Sequence, residues 1–234
     1  KKKCKHIIKW GMGLDSIDLS EAERKKIPVS NFPGIFKKEV AELAIGFVLN
    51  FSRKILDIDK NTKKILWKRV LSNSLKNKCV GLIGFGNIGK EIARKLKPFD
   101  TKIFYNDLKN TSKKYKRINL KKVFQISDYI IIACDLNKKN YGFINKKILL
   151  NSKKKPYLIN IARGGLVIEK DIAFALSKNI ISGYATDVFQ KEPINVHNKL
   201  LKHKNKTIFT NHSASVTYEA VKNINNLIAK KILK

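Results

Sequence analysis

The chain has 234 residues, enough to bury a sizeable core in one large domain or in one domain and part of a second. Apolar residues make up 43% of it, but no unbroken apolar run approaches the roughly 18 residues of a membrane-spanning helix, so no such helix is expected. Fifty Lys and Arg against 18 Asp and Glu leave a net charge of +32, yet only six of the fifty are Arg and the lysines are spread along the chain. That distribution describes a solvated surface with weak, salt-sensitive attraction to polyanions, and no specific nucleic-acid partner is expected.

The chain opens on Lys1, not Met, and is expected to begin inside a longer reading frame or after processing. The apolar part of residues 1–13 is too short for a signal peptide. Cys4, Cys79 and Cys134 are odd in number and far apart. They form neither a disulfide framework nor a metal-ligand spacing, so no metal is expected and a reducing cytoplasm fits best.

In chain order, His6–Lys9 reads as a strand, Leu19–Lys26 as a short helix and Pro28–Ser30 as a strand. Asn31, Pro33 and Gly34 make a break. From Lys38 to about Leu56, residues Val40, Leu43, Ala44, Phe47, Val48 and Phe51 recur at helical steps and form one apolar face. A polar stretch from Asp57 to Lys78 follows, with Trp67 as the aromatic expected to pack it onto the surface. Strands are then expected at Cys79–Ile83, Lys102–Tyr105, Tyr129–Cys134, Tyr157–Ile161, Ser182–Val188 and Thr207–Thr210. Helices are expected at Asn87–Leu96, Leu120–Gln125, Glu169–Ser177 and Tyr218–Leu233. Strands alternating with helices at this spacing predict an α/β fold, a Rossmann-type doubly wound parallel sheet with helices on both faces.

The best local signal is Gly84-Phe85-Gly86-Asn87-Ile88-Gly89, set between a predicted strand and a predicted helix. Asp107 ends the next strand, which completes the context of a dinucleotide-binding fingerprint. Gly84 permits the tight turn, Gly86 lets the backbone approach a pyrophosphate, and Gly89 allows close helix–strand packing. Asn87 and Ile88 open a helix whose N–H groups and dipole attract phosphate. The Asp107 carboxylate suits ribose hydroxyls and repels a 2′-phosphate, so NAD is expected over NADP, with nearby Lys109 softening the preference.

Three further groups follow predicted strands: Arg163, Glu192 and His212. In an open parallel sheet, ligands bind at the carboxyl ends of strands. Taken singly, each has an ordinary reading, as a surface cation, a turn carboxylate and a core or capping histidine.

Together they carry a resemblance. Residues 158–167 (LINIARGGLV), 187–193 (DVFQKEP) and 210–215 (TNHSAS) are similar to the arginine, glutamate and histidine motifs of the D-isomer-specific 2-hydroxyacid dehydrogenase family. Residues 11–18 (GMGLDSID) and 40–44 (VAELA) are similar to its earlier signatures, in the same order along nearly the whole chain.

The resemblance implies that His212 is the general acid in keto-acid reduction, that Glu192 pairs with it, and that Arg163 grips the substrate carboxylate. It places Ala162 and Asp187 on the cofactor side. It makes the backbone of Gly11, Met12 and Gly13 a carboxylate-binding loop. It also implies a homodimer formed through the nucleotide domain, near the helix at 38–56 and the loop to Trp67.

The expected division is residues 34–212 as the NAD domain. Residues 1–33 and a C-terminal helix within 213–234 then remain of a flavodoxin-like substrate domain that is otherwise missing at the front. The implied activity is NAD-dependent interconversion of a 2-keto acid and a D-2-hydroxy acid, phosphoglycerate dehydrogenase-like. The alternatives are a glyoxylate or hydroxypyruvate reductase, and a non-catalytic NAD-binding protein. The chain departs from the family pattern at Asn211, where Pro is usual, at Asp135-Leu136-Asn137, where Pro-Leu-Thr is usual, and at Asp100, where Gly is common.

Overall fold

A computed structural model describes residues 4–232. Seven parallel strands form the main sheet: β3 (Cys79–Ile83), β4 (Lys102–Asn106), β5 (Lys116–Arg117), β6 (Tyr129–Ile132), β7 (Tyr157–Asn160), β8 (Gly183–Thr186) and β9 (Thr207–Phe209). Their order is β5-β4-β3-β6-β7-β8-β9. The chain winds outward from β3 in one direction, then returns to β6 and winds in the other. That reversal between β3 and β6 opens a crevice at the carboxyl ends of the strands. The Rossmann-type sheet predicted from sequence is therefore present.

Strand periodicity divides the core in two. Val80, Leu82, Tyr129, Ile131 and Ile159 point to one face, and Ile130, Ile132 and Leu158 to the other. The first face is covered by α2 (Lys37–Arg53), α4 (Asn87–Leu96) and α8 (Tyr218–Ile232), through residues such as Phe47, Ile92 and Ile224. The second is covered by α5 (Leu120–Ile126), α6 (Lys146–Leu149) and α7 (Glu169–Ser177), through Phe124, Leu149 and Ile172. Burial on both faces explains why β6 is uninterruptedly apolar.

Residues 4–33 form a small unit of their own, a parallel pair of β1 (Ile7–Ile8) and β2 (Val29–Ser30) joined through α1 (Leu19–Arg24). Asp18 caps α1 by accepting from the Glu21 N–H at 2.9 Å. This unit has little core, with Ala22 its one buried apolar side chain among the described residues. It is tied to the C-terminal helix by Trp10, whose indole N–H donates to Asn225 at 2.9 Å. The predicted helix at Tyr218–Leu233 is observed to Ile232, and Leu233 lies outside the described residues.

Two expectations are corrected. The helix predicted from Lys38 to Leu56 ends at Arg53, because Lys54 takes a left-handed conformation (φ 54°) and starts a second helix, α3 (Ile55–Lys63), inside the stretch read as a loop. Nor does Trp67 pack that stretch onto the surface; it is 91% exposed. The attachment lies further on, where Leu75 is buried, the Ser52 hydroxyl donates to Asn73 O at 2.6 Å, and Asn73 N–H donates to Ser52 O at 2.9 Å. The edge strand β5 and helix α6 are additions, too short to show a period in sequence. At Asp100, φ is 55°, a conformation glycine adopts without cost, so the side chain there is retained at the expense of about 1 kcal/mol.

Candidate active site

The glycine loop follows β3 as predicted. Gly84 has φ 93°, and a Cβ there would meet the backbone of Ala133 and Cys134 at 2.6–2.7 Å. A Cβ on Gly89 would overlap the Gly84 carbonyl, so α4 packs directly onto the turn. A Cβ on Gly86 would meet nothing within 4 Å, because that backbone faces the open crevice. Gly86 precedes α4 with no side-chain cap, and the first N–H groups of the helix at Asn87 and Ile88 are left for a ligand. Asp107 sits one residue past β4. Its Oδ2 accepts from Phe85 N–H at 2.7 Å and its Oδ1 from Lys109 N–H at 3.1 Å, so it braces the loop and keeps spare lone pairs. Cys134 lines the same turn, but burial pushes its thiol up to about 12, which keeps it neutral and unreactive.

Arg163, Glu192 and His212 lie beyond the carboxyl ends of the adjacent strands β7, β8 and β9. His212 Nδ1 is 2.7 Å from Glu192 Oε2, and Glu192 Oε1 accepts from Phe189 N–H at 2.9 Å. With Nδ1 donating to a carboxylate, the tautomer is set, and Nε2 makes no hydrogen bond to the described residues. A cleft of about 850 Å³ opens on this pair, walled by Phe189, Pro193, Leu201 and Phe209. His212 itself has φ 58°. It is held there by the buried Asp187, whose carbonyl accepts from His212 N–H at 2.7 Å. The Asp187 carboxylate accepts from Thr210 Oγ1 (2.6 Å), Ser213 N–H (2.9 Å) and Ala214 N–H (2.9 Å). Asp187 is thus the residue that shapes the histidine turn, and its carboxylate is already committed to the protein.

Arg163 meets the Gly11–Gly13 loop across about 150 residues of sequence. Its Nε and Nη2 reach the Asp15 carboxylate at 3.1–3.2 Å, and its Nη1 donates to Ala162 O at 2.8 Å. A Cβ on Gly13 would overlap Arg163 Nη2, so any other residue there would push the guanidinium out of this position. Gly11 has φ 126°, and the loop is pinned where Asn31 Nδ2 donates to Met12 O at 2.6 Å. The Arg163 and Glu192 loops also abut each other, since a Cβ on Gly164 would overlap the backbone of Phe189 and Gln190.

The profile of the NAD-binding domain of D-isomer specific 2-hydroxyacid dehydrogenases matches residues 45–214. The chain is 33% identical over 241 residues to a glyoxylate reductase from Thermofilum pendens, covering 98% of this chain and 71% of that protein. The chain belongs to the D-isomer specific 2-hydroxyacid dehydrogenase family. It is also 35% identical to a hydroxypyruvate reductase from Thermotoga maritima, over 100% of this chain and 78% of that one. A D-lactate dehydrogenase from Aquifex aeolicus, solved with NAD and lactic acid, superposes with a TM-score of 0.90 at 26% identity, covering 97% of this chain and 75% of that one. The chain is an NAD-dependent 2-hydroxyacid dehydrogenase, and its cofactor is NAD.

Two contributors to the candidate site escaped sequence reasoning. One is Asp15, quoted within the glycine-rich signature but given no role, because its partner lies 148 residues away. The other is Glu169 at the start of α7. Its carboxylate accepts from Gln190 N–H and from Asn198 Nδ2, each at 2.7 Å, and clamps both ends of the loop that carries Glu192. An acidic residue in the first turn of a helix is so common that it offered no local signal.

Proposed function

We propose that this dehydrogenase reduces a short 2-keto acid, glyoxylate or hydroxypyruvate, to the 2-hydroxy acid, and catalyses the reverse. The observation that carries the reading is the His212–Glu192 pair set beside the Arg163 loop, at neighbouring strand ends on one side of the NAD crevice. Relatives named glyoxylate and hydroxypyruvate reductases support it. When bound, NAD supplies or accepts the hydride at substrate C2.

The chain's own residues do the rest. The open face at Gly84, Gly86 and Gly89 and the α4 N-terminus at Asn87 and Ile88 take the pyrophosphate, and Asp107 accepts from the adenosine ribose hydroxyls. Ala162, next to Arg163, lines the cofactor side, while Asp187 acts there by holding the histidine turn. Arg163 binds the substrate carboxylate together with the backbone of Gly11, Met12 and Gly13, and so fixes the keto carbonyl. His212 delivers a proton from Nε2 to the carbonyl oxygen in reduction and removes it in oxidation. Glu192 orients the ring through the bond to Nδ1.

A phosphoglycerate dehydrogenase-like substrate is the second reading, favoured by the resemblance of Gly11–Asp18 and Val40–Ile55 to that branch. A fluorescence titration with NADH and NADPH, followed by turnover of glyoxylate, hydroxypyruvate and 3-phosphohydroxypyruvate, separates these readings. Saturable binding with NADH preferred, and reduction of the two unphosphorylated acids, is the expected result. Preference for the phosphorylated acid would select the second reading. Binding of NADH with no turnover of any would make this chain a non-catalytic NAD-binding protein.

The reading includes a homodimer through the nucleotide domain and a cytoplasmic location. Ile65, Trp67 and Leu71 are each more than 90% exposed, and Ile55, Leu56 and Leu66 in the same stretch are half-exposed, a run of bare apolar side chains that supports an interface there. Sedimentation should show a dimer that Trp67→Lys dissociates; a monomeric parent chain would end the idea. All three cysteines are free, as a reducing compartment allows, and among the described residues no helix is long and apolar enough to cross a membrane. Cell fractionation tests the location, and recovery with membranes or secreted material would refute it.

A further inference from the structure

We propose that Asp15 is the positioning residue for the substrate-carboxylate grip: it holds one edge of the Arg163 guanidinium and leaves two donors free for the substrate. The proposal rests on the reading of Arg163 given above. A guanidinium carries five N–H donors in a fixed plane. The Nε donor is shared between Asp15 Oδ1 and Oδ2, at 3.2 and 3.1 Å, and one Nη2 donor reaches Oδ1 at 3.1 Å. One Nη1 donor goes to Ala162 O at 2.8 Å. One N–H then remains on each terminal nitrogen, the number a bidentate carboxylate takes.

The rest of the loop is built around this contact. Gly13 leaves room for Nη2 that any side chain would fill. The loop is fixed from behind by Asn31, which donates to Met12 O, and by Phe32 N–H, which donates to Gly11 O at 3.1 Å. Lys9 does not take Asp15 away, since its Nζ donates to Ser16 Oγ at 3.0 Å. Burial alone would raise the Asp15 pKa, but the hydrogen bonds and charge of Arg163 outweigh it and hold the carboxyl below its usual value. Asp15 is therefore a carboxylate at neutral pH.

Asp15 is neither a proton donor nor a substrate ligand in this scheme. It sets the plane of a long, flexible side chain that would otherwise sample many rotamers. The rival arrangement is a competitor, in which Asp15 must leave before a substrate carboxylate enters. The two predict opposite signs for the same substitution.

The test compares the parent chain with Asp15→Asn and Arg163→Lys, using oxamate binding to the NADH-saturated protein and glyoxylate kinetics. For Asp15→Asn the expected result is oxamate binding and KM weakened about tenfold or more, with kcat changed less than about threefold and NADH affinity unchanged. Tighter oxamate binding by Asp15→Asn would identify a competitor and overturn the proposal. Loss of oxamate binding in Arg163→Lys with none in Asp15→Asn would overturn it while leaving the Arg163 reading intact. Unchanged oxamate binding in Arg163→Lys would remove Arg163 from the grip, and the role of Asp15 with it.

Discussion

His212→Asn should lower kcat for keto-acid reduction by about 10²–10⁴ while NADH affinity stays within a factor of about two. Asparagine is the informative replacement because position 212 has φ 58°, and Asn tolerates the left-handed conformation where Ala is strained. The backbone bond from residue 212 to Asp187 O and the bonds from residues 213 and 214 to the Asp187 carboxylate then survive. What is lost is the ring held by Glu192 at 2.7 Å, and with it Nε2 as the proton-transferring atom. The glycine loop follows β3, with three strands between it and β9, so cofactor binding is the internal control. A variant that keeps kcat within about threefold of the parent would remove His212 from the proton transfer.

The second large effect is expected from a single methyl group. Gly164→Ala places a Cβ inside the backbone of Phe189 and Gln190. Backbone cannot swing aside as a flexible side chain does. Here it is also pinned: Phe189 N–H donates to Glu192, the Phe189 ring packs edge-on against Phe209 at 5.4 Å, and Gln190 N–H donates to Glu169. Overpacking of this kind costs about 1–3 kcal/mol or more, which for a chain this size lowers Tm by roughly 3–10 °C. The Arg163 and Glu192 loops must part to accept the methyl, so kcat/KM should fall by more than the loss of folded protein explains. Thermal unfolding followed by circular dichroism, with kcat/KM per folded molecule, checks both. Unchanged Tm and full activity would show that the two loops are not in backbone contact.

Much of this fold was legible beforehand because its signals are local. The β3–turn–α4 unit was readable residue by residue: a five-residue apolar run, glycines at the positions a tight turn requires, and a helix with Ile92, Ala93 and Leu96 on one side. The four-residue β6 announced burial on both faces by its lack of alternation. Helix α3 was missed because its sequence, ILDIDKNTK, buries no side chain, so there was no core-facing stripe to detect. Trp67 was misread because a large aromatic is usually an anchor, whereas here Leu75 and the Ser52–Asn73 pair take that task.

The candidate site residues divide in the same way. Gly84, Gly86, Gly89 and Asp107 belong to one βαβ unit, and their chemistry follows from spacing along the chain. Arg163, Glu192 and His212 could be named from their motifs, but the motifs say nothing of who touches whom. Folding adds the pairing of Asp15 with Arg163, the clamp of Glu169 on the Glu192 loop, and the commitment of the Asp187 carboxylate to the histidine turn. Each of these joins segments 21 to 148 residues apart. Chain spacing encodes contacts within a turn or a helix; contacts across the ends of parallel strands are set by the order of the strands in the sheet, and that order is a property of the packed core.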